Sequence, residues 1–285
     1  MVAVTVDAVL DAPCPRAGIT VTGLGVGASV VSVWRTADGE RNPVRGARRT
    51  RMNDADYVVD FDVPLGRPVT YEVEVISGPS GAARVTSDPV TVDSATGWIM
   101  DPLVPQTAVP IYRGRTASGE PMFAVSAMSK LDYAAETQVF RVLGSDKPMA
   151  LFGQRMAASG VDFSMITDAA EQNTRLRNLV QSSAQMLIRV PALWTNALPG
   201  SCFALIATAS ESPVDAGMGG VLSVWSLTGD TVQAPTIRVL TAEFTYGDVA
   251  LLFSTYQAKQ DAVVASAAAA GESPTYLFDL KRPLG

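Results

Sequence analysis

The chain has 285 residues, 47% of them hydrophobic and 18% charged, with a formal net charge of −6 and no histidine. Its length accommodates about two domains with a sizeable core, and its hydrophobic content excludes a disordered chain. The acidic balance argues against bulk attraction to nucleic acid or to an anionic membrane, so no nucleic-acid sequence recognition is expected. Without histidine, Ser-His-Asp and Cys-His catalysis are impossible and the commonest metal ligand is missing. No apolar run approaches the ~18 residues of a membrane-spanning helix, and Val2 to Leu10 lacks a basic leader and is interrupted by Asp7. The sequence therefore predicts neither a membrane span nor a signal peptide. Cys14 and Cys202 stand without CxxC or Cys/His spacing, which predicts free thiols, synthesis in a reducing compartment, no metal site and no cofactor.

Residues 1–93 alternate apolar and polar in short runs between turn signals, as a β-sandwich does. The strands expected are Val4–Leu10, Ile19–Leu24, Ser29–Arg35, Arg45–Met52, Tyr57–Val63, Val69–Ile76 and Ala83–Val92, with turns at Ala37–Glu40, Pro64–Arg67 and Gly78–Gly81. In the run from Val69 to Val75 the odd positions Val69, Tyr71, Val73 and Val75 form an inner face, and Thr70, Glu72 and Glu74 a wet one. Trp34 reads as a core tryptophan, with sugar stacking as the alternative.

Three groups in this segment resemble chemical motifs. Gly23-Leu24-Gly25-Val26-Gly27-Ala28 has the form of a dinucleotide fingerprint, but a β-patterned run follows where a helix is required, so it reads as a turn. Asp54, Asp56, Asp60 and Asp62 contain a conceivable glycosidase or calcium pair. Asp60 and Asp62 alternate with Val59, Phe61 and Val63, however, which predicts the wet face of a strand. Arg41, Arg45, Arg48, Arg49 and Arg51 make a basic run, read as a solvated hairpin or as a patch for an acidic neighbour or an anionic cell-wall polymer, with Arg48 and Arg49 as its interface candidates.

Residues 94–110 read as a connector. Pro102, Pro105 and Pro110 fall within nine positions, which predicts neither helix nor central strand, while Trp98, Ile99, Met100, Leu103 and Val109 are too apolar for a free tether. A stiff arm docked on a domain or subunit is expected, with Trp98, Leu103 and Val109 as contact candidates; Trp194 is another aromatic open to core, interface or glycan-platform readings.

Residues 111–285 mix strands with two expected helices. The first spans Asp168 to Ser182, with Asp168 and Glu171 at capping-box spacing and a Leu176, Leu179, Val180 stripe. The second spans Tyr246 to Ala265, with Val249, Leu252, Phe253 and Tyr256 on one stripe; Phe253 and Tyr256 are candidate interface residues. Strands are expected at Ala108–Arg113, Met122–Ala127, Gln138–Leu143, Met149–Gln154, Val161–Ile166, Met186–Val190, Cys202–Ala209, Val221–Leu227, Thr236–Glu243 and Tyr276–Leu280. The fold class is mainly β: a sandwich followed by a β-rich α+β domain with two helices.

A family resemblance runs through this order of segments. Val69 to Val75, with Leu65 six residues before Tyr71, resembles the F strand of fibronectin type III domains, although Arg67 and Val69 replace the usual Pro and Thr. The Trp98-x-x-Asp101-Pro102-Leu103-x-Pro105-x-x-x-x-Pro110 segment follows it. Phe140-Arg141-Val142-Leu143, Met186-Leu187-Ile188-Arg189-Val190-Pro191, the small apolar residues Cys202 to Thr208, Val224-Trp225-Ser226-Leu227 and Tyr246 to Tyr256 then come in turn. In this order they resemble the minor tail proteins of siphoviruses that infect actinobacteria, with the loop from Glu211 to Gly220 departing from the pattern. The resemblance implies an Ig-like or fibronectin-III-like N-terminal domain and a non-enzymatic virion protein of the distal tail, tail tip or baseplate. Its partners would be other copies of itself in a three-fold or six-fold ring, together with neighbouring tail proteins. The alternative is a carbohydrate- or receptor-binding tail module that touches host surface glycan. In this reading the second domain carries assembly and the sandwich decorates it.

Overall fold

The computed structural model describes residues 1–141, 143, 146–194, 200–214, 217 and 219–235. The chain divides into two compact units, Met1–Val239 and Leu240–Gly285, and all described residues lie in the first. The expected helix from Tyr246 to Ala265, with Phe253 and Tyr256, and the strands expected at Thr236–Glu243 and Tyr276–Leu280 fall outside the described residues. The protein is mainly β.

The first layer comprises β1 (Ala3–Val9), β2 (Arg16–Thr22), β3 (Ala28–Ala37), β4 (Glu40–Pro43), β5 (Thr50–Asn53), β6 (Asp56–Asp60), β7 (Pro68–Ser77), β8 (Ala83–Thr86) and β9 (Val90–Thr91). Strands β1-β2-β6 form one sheet; β4-β3-β7-β8 form the other, with β5 beside β3 and β9 beside β7. All these pairings are antiparallel. Ile19 and Val21 from one sheet meet Val31, Val33, Tyr71, Val73 and Val75 from the other in a common core, as the alternation in β7 requires. Asp38 and Gly39, with φ of 51° and 83°, make the two-residue turn joining β3 to β4, a conformation open to Asp and easy for Gly.

Several sequence expectations change here. Of the expected strand Arg45–Met52 only the end from Thr50 is extended, as part of β5; residues 45–49 form the loop that follows β4. Trp34 points away from the core: its neighbours Val31, Val33 and Arg35 take the inner face, and Trp34 stands beside Glu72 on the outer one. The run from Ser29 to Arg35 carries valines at both parities, so its inner face was ambiguous. Asp60 and Asp62 are buried rather than wet, because arginines reach them from other elements.

The second layer comprises β10 (Gly97–Asp101), β11 (Val104–Ile111), β12 (Met122–Phe123), β13 (Ala135–Phe140), β14 (Met149–Arg155), β15 (Val161–Asp162), β16 (Met165–Thr167), α1 (Ala170–Ser182), β17 (Gln185–Arg189), β18 (Ser201–Pro213) and β19 (Ser223–Val232). One sheet runs in the order β11-β10-β17-β18-β19-β16-β12, with β15 beside β19. The expected Pro-rich connector is thus a β-hairpin of this sheet, and β10 lies inside it between β11 and β17. Pro102 falls in the turn, and Pro105 and Pro110 fall in β11, an edge strand where a missing N–H need not break a ladder.

Helix α1 lays Leu176 and Leu179 against this sheet, in a core with Ile99, Val109, Ile188 and Trp225. It begins one residue later than a cap at Asp168 would place it. Ala169 holds the N-cap position without a side-chain bond, and the Asp168 carboxylate pairs with Arg115 instead.

Candidate assembly surface

Adjacent side chains on a strand face opposite ways, so the sheet containing β17 has two distinct sides. Ile99, Val109, Ile188 and Ala204 pack into the α1-side core. Met100, Ala108 and Leu187 point the other way and cluster with Cys14 and Phe61 of the first layer, with Trp98 and Phe203 packed beside them. A buried seam therefore joins the first layer to the second across the boundary expected near residue 93.

The seam is charged at its centre. Arg45 donates Nε to Asp62 Oδ2 at 2.9 Å and also binds the Pro102 carbonyl across the seam. Asp60 accepts Arg35 Nη1 at 3.0 and 2.9 Å, the Asp62 backbone N–H at 2.9 Å and the Tyr71 hydroxyl at 2.9 Å. Arg189, fully buried, donates to the carbonyls of Pro15 at 2.7 Å and Val63 at 3.4 Å, while its Nε and Nη2 have no hydrogen-bond partner among the described residues.

These contacts shift the local titrations. Burial, reinforced by the Asp60 carboxylate, pushes the Tyr71 hydroxyl far up, and burial lowers the Arg189 guanidinium. Burial also lowers Arg35, but Asp60 and then Asp62 outweigh it and hold the group above its ordinary value. The Cys14 thiol is raised by burial against the opposing field of Arg189. Asp60 thus has both oxygens committed to protein donors, an arrangement that holds structure and leaves no lone pair poised as a general base.

The two cysteines are free and buried. Cys14 lies in the seam; Cys202 shares its register with Ile188 on the α1 side, so the sheet itself stands between them.

The contact candidates from the sequence are scattered. Val109 is core, Trp98 is half-buried at the seam with its indole N–H on Ser94 Oγ, and Leu103 is half-buried in the β10–β11 turn. Arg48 and Arg49 are exposed on the β4–β5 loop, Arg49 with φ of 52° and its N–H on Ser32 Oγ. Elsewhere in the basic run, Arg45 is buried and Arg41 lies 3.9 Å above the Trp34 ring while pairing with Glu72.

The contact candidates missed one exposed apolar surface. Strands β13 and β14 pair only with each other among the described residues. Their register sets Phe140 opposite Met149 and Gln138 opposite Leu151 on one face, and Val139 opposite Ala150 on the other. Val139 is 63% exposed, Phe140 47%, Met149 63%, Leu151 60% and the turn residue Leu143 103%. The base of the hairpin is fastened by the Asp132–Ser159 bridge and by Arg155 donating to the Tyr133 carbonyl at 2.9 Å. Apolar side chains thus stand exposed on both faces of a two-stranded ribbon, an element that is itself marginal in water. Strands were expected at Gln138–Leu143 and Met149–Gln154, close to those observed; that they would pair only with each other among the described residues was not, because a run of apolar residues does not say which surface covers it.

No family model matches the chain, and no match was found among the curated proteins or the solved structures.

Proposed function

We propose that this protein is a non-enzymatic structural subunit of a siphovirus virion, positioned at the distal tail or tail tip and acting through protein–protein contacts. The observation that carries the reading is the β13–β14 hairpin, which presents Val139, Phe140, Leu143, Met149 and Leu151 to solvent on a ribbon that no other strand among the described residues supports. Each such side chain contributes ~1.5–3 kcal/mol when fully covered, so a repeated assembly gains from covering it. The ordered series of segments from Phe140 to Leu227 supports the placement in a tail.

Within this reading the first layer is an Ig-like or fibronectin-III-like sandwich, supported by its two antiparallel sheets and buried Tyr71. It departs from the tyrosine-corner pattern, since the Tyr71 hydroxyl bonds the Asp60 carboxylate rather than backbone. The glycan-binding alternative is less well supported, because Arg41 covers the Trp34 face that a sugar would stack on.

Immunogold labelling of purified particles tests the proposal. Label at the tail end distal to the head is expected; particles free of this chain would sink it.

A further inference from the structure

We infer that the 135–155 hairpin is the arm by which one copy of this chain grips a second copy. The inference rests on the reading of the protein as an assembly subunit and names the contact that builds it.

Three observations carry it. First, the outer edges of β13 and β14 pair with no other strand among the described residues, so backbone groups along the ribbon remain to be met by a neighbour. Second, Phe140, Met149 and Leu151 occupy one face and Val139 the other, so folding back on one surface would leave the opposite face bare. A neighbour that takes the ribbon between its own surfaces covers both. Third, the charges are complementary. Residues 135–155 carry Arg141, Lys147 and Arg155 against Glu136 and Asp146, a balance of +1 within a chain of −6, which leaves −7 on the remainder. A second copy of the chain thus offers the arm a body of opposite sign. An anionic lipid surface would repel that same body.

Arm on body is a heterologous contact, in which one surface of a copy meets a different surface of the next. Repetition of such a contact closes into a ring or continues as a filament. That is the kind of growth a tail requires.

Sedimentation velocity of the full chain across a wide concentration range tests the inference, with Leu143→Glu/Leu151→Glu as the variant. Both side chains face solvent, so the isolated fold should be unaffected; an unchanged urea midpoint verifies this. The wild type is expected to self-associate and the variant to do so about tenfold or more weakly. A photo-crosslinker at position 143, in a mixture of light and heavy-isotope chains, should join the arm of one chain to residues 1–128 of another. A wild type that stays monomeric throughout, a folded variant that associates like wild type, or crosslinks confined to single chains would each overturn the inference. Arm-dependent association by a chain absent from virions would refute the tail placement alone, and a strictly monomeric chain found in virions would refute the arm alone.

Discussion

Arg45 and Asp62 meet in a two-pronged ion pair, Nε to Oδ2 at 2.9 Å and Nη2 to Oδ1 at 2.5 Å, with side chains only 5% and 6% exposed. Arg45 extends the same guanidinium to the Pro102 carbonyl, so the pair links a loop of the first layer to the β10–β11 turn of the second. Removing one partner strands a buried charge. Asp62→Ala is expected to cost about 3–5 kcal/mol in urea unfolding, whereas Arg45→Met/Asp62→Leu should recover most of that loss, because no charge then remains unpaired. A double variant as unstable as the single one would contradict this picture of the seam.

The Tyr71 hydroxyl is the donor that completes the Asp60 shell inside the first layer. Tyr71→Phe leaves the ring in the core and deletes only this bond to a buried carboxylate. The expected cost is about 2 kcal/mol, the usual worth of a hydrogen bond to a charged group. A change too small to measure would mean that Arg35 alone satisfies Asp60.

Alkaline pH should weaken the fold through its thiols. Burial pushes Cys202 up to about 11 from an ordinary 9.0, so the folded protein keeps a proton that the unfolded chain gives up. With the folded pKa raised, the contribution is complete below pH 9 and is lost as pH rises to about 11, by about 3 kcal/mol in all. Burial of Cys14 acts in the same direction. Unfolding free energies measured from pH 8 to 11 should fall along this course, and Cys202→Ala should flatten it. An identical slope in that variant would assign the loss to other groups.

Because β13 and β14 pair with no other strand among the described residues, the arm is expected to contribute little to the body that carries it. Replacing residues 135–155 with a short Gly-Ser turn should change the unfolding free energy of the isolated protein by no more than about 0.5 kcal/mol, the range of surface changes. A loss several times larger would place the arm in the core of its own chain.

The sequence made the strand faces legible where one parity was clearly apolar. In β7, Val69, Tyr71, Val73 and Val75 turn inward and Thr70, Glu72 and Glu74 outward, as their alternation requires. It misled where burial depends on distant partners: Asp60 reads as wet until Arg35, 25 residues away, is placed against it, and Asp62 until Arg45 is. Proline spacing excluded a central strand for Val104 to Pro110 but not the edge strand that β11 became. Of the candidate contact residues, Val109 went to the core and Trp98 to the seam, because apolar residues in a hairpin are covered first by the sheet they join. The arm was legible as two strands and invisible as a surface, since nothing local distinguishes cover by the chain from cover by a neighbour.

Electron cryomicroscopy of assembled particles containing this chain tests the central claim most directly. The account expects several copies arranged around the tail axis, each with Phe140, Leu143, Met149 and Leu151 of its hairpin covered by an adjacent copy. Particles in which the hairpin stands bare in solvent, or in which no density fits the chain, would contradict it.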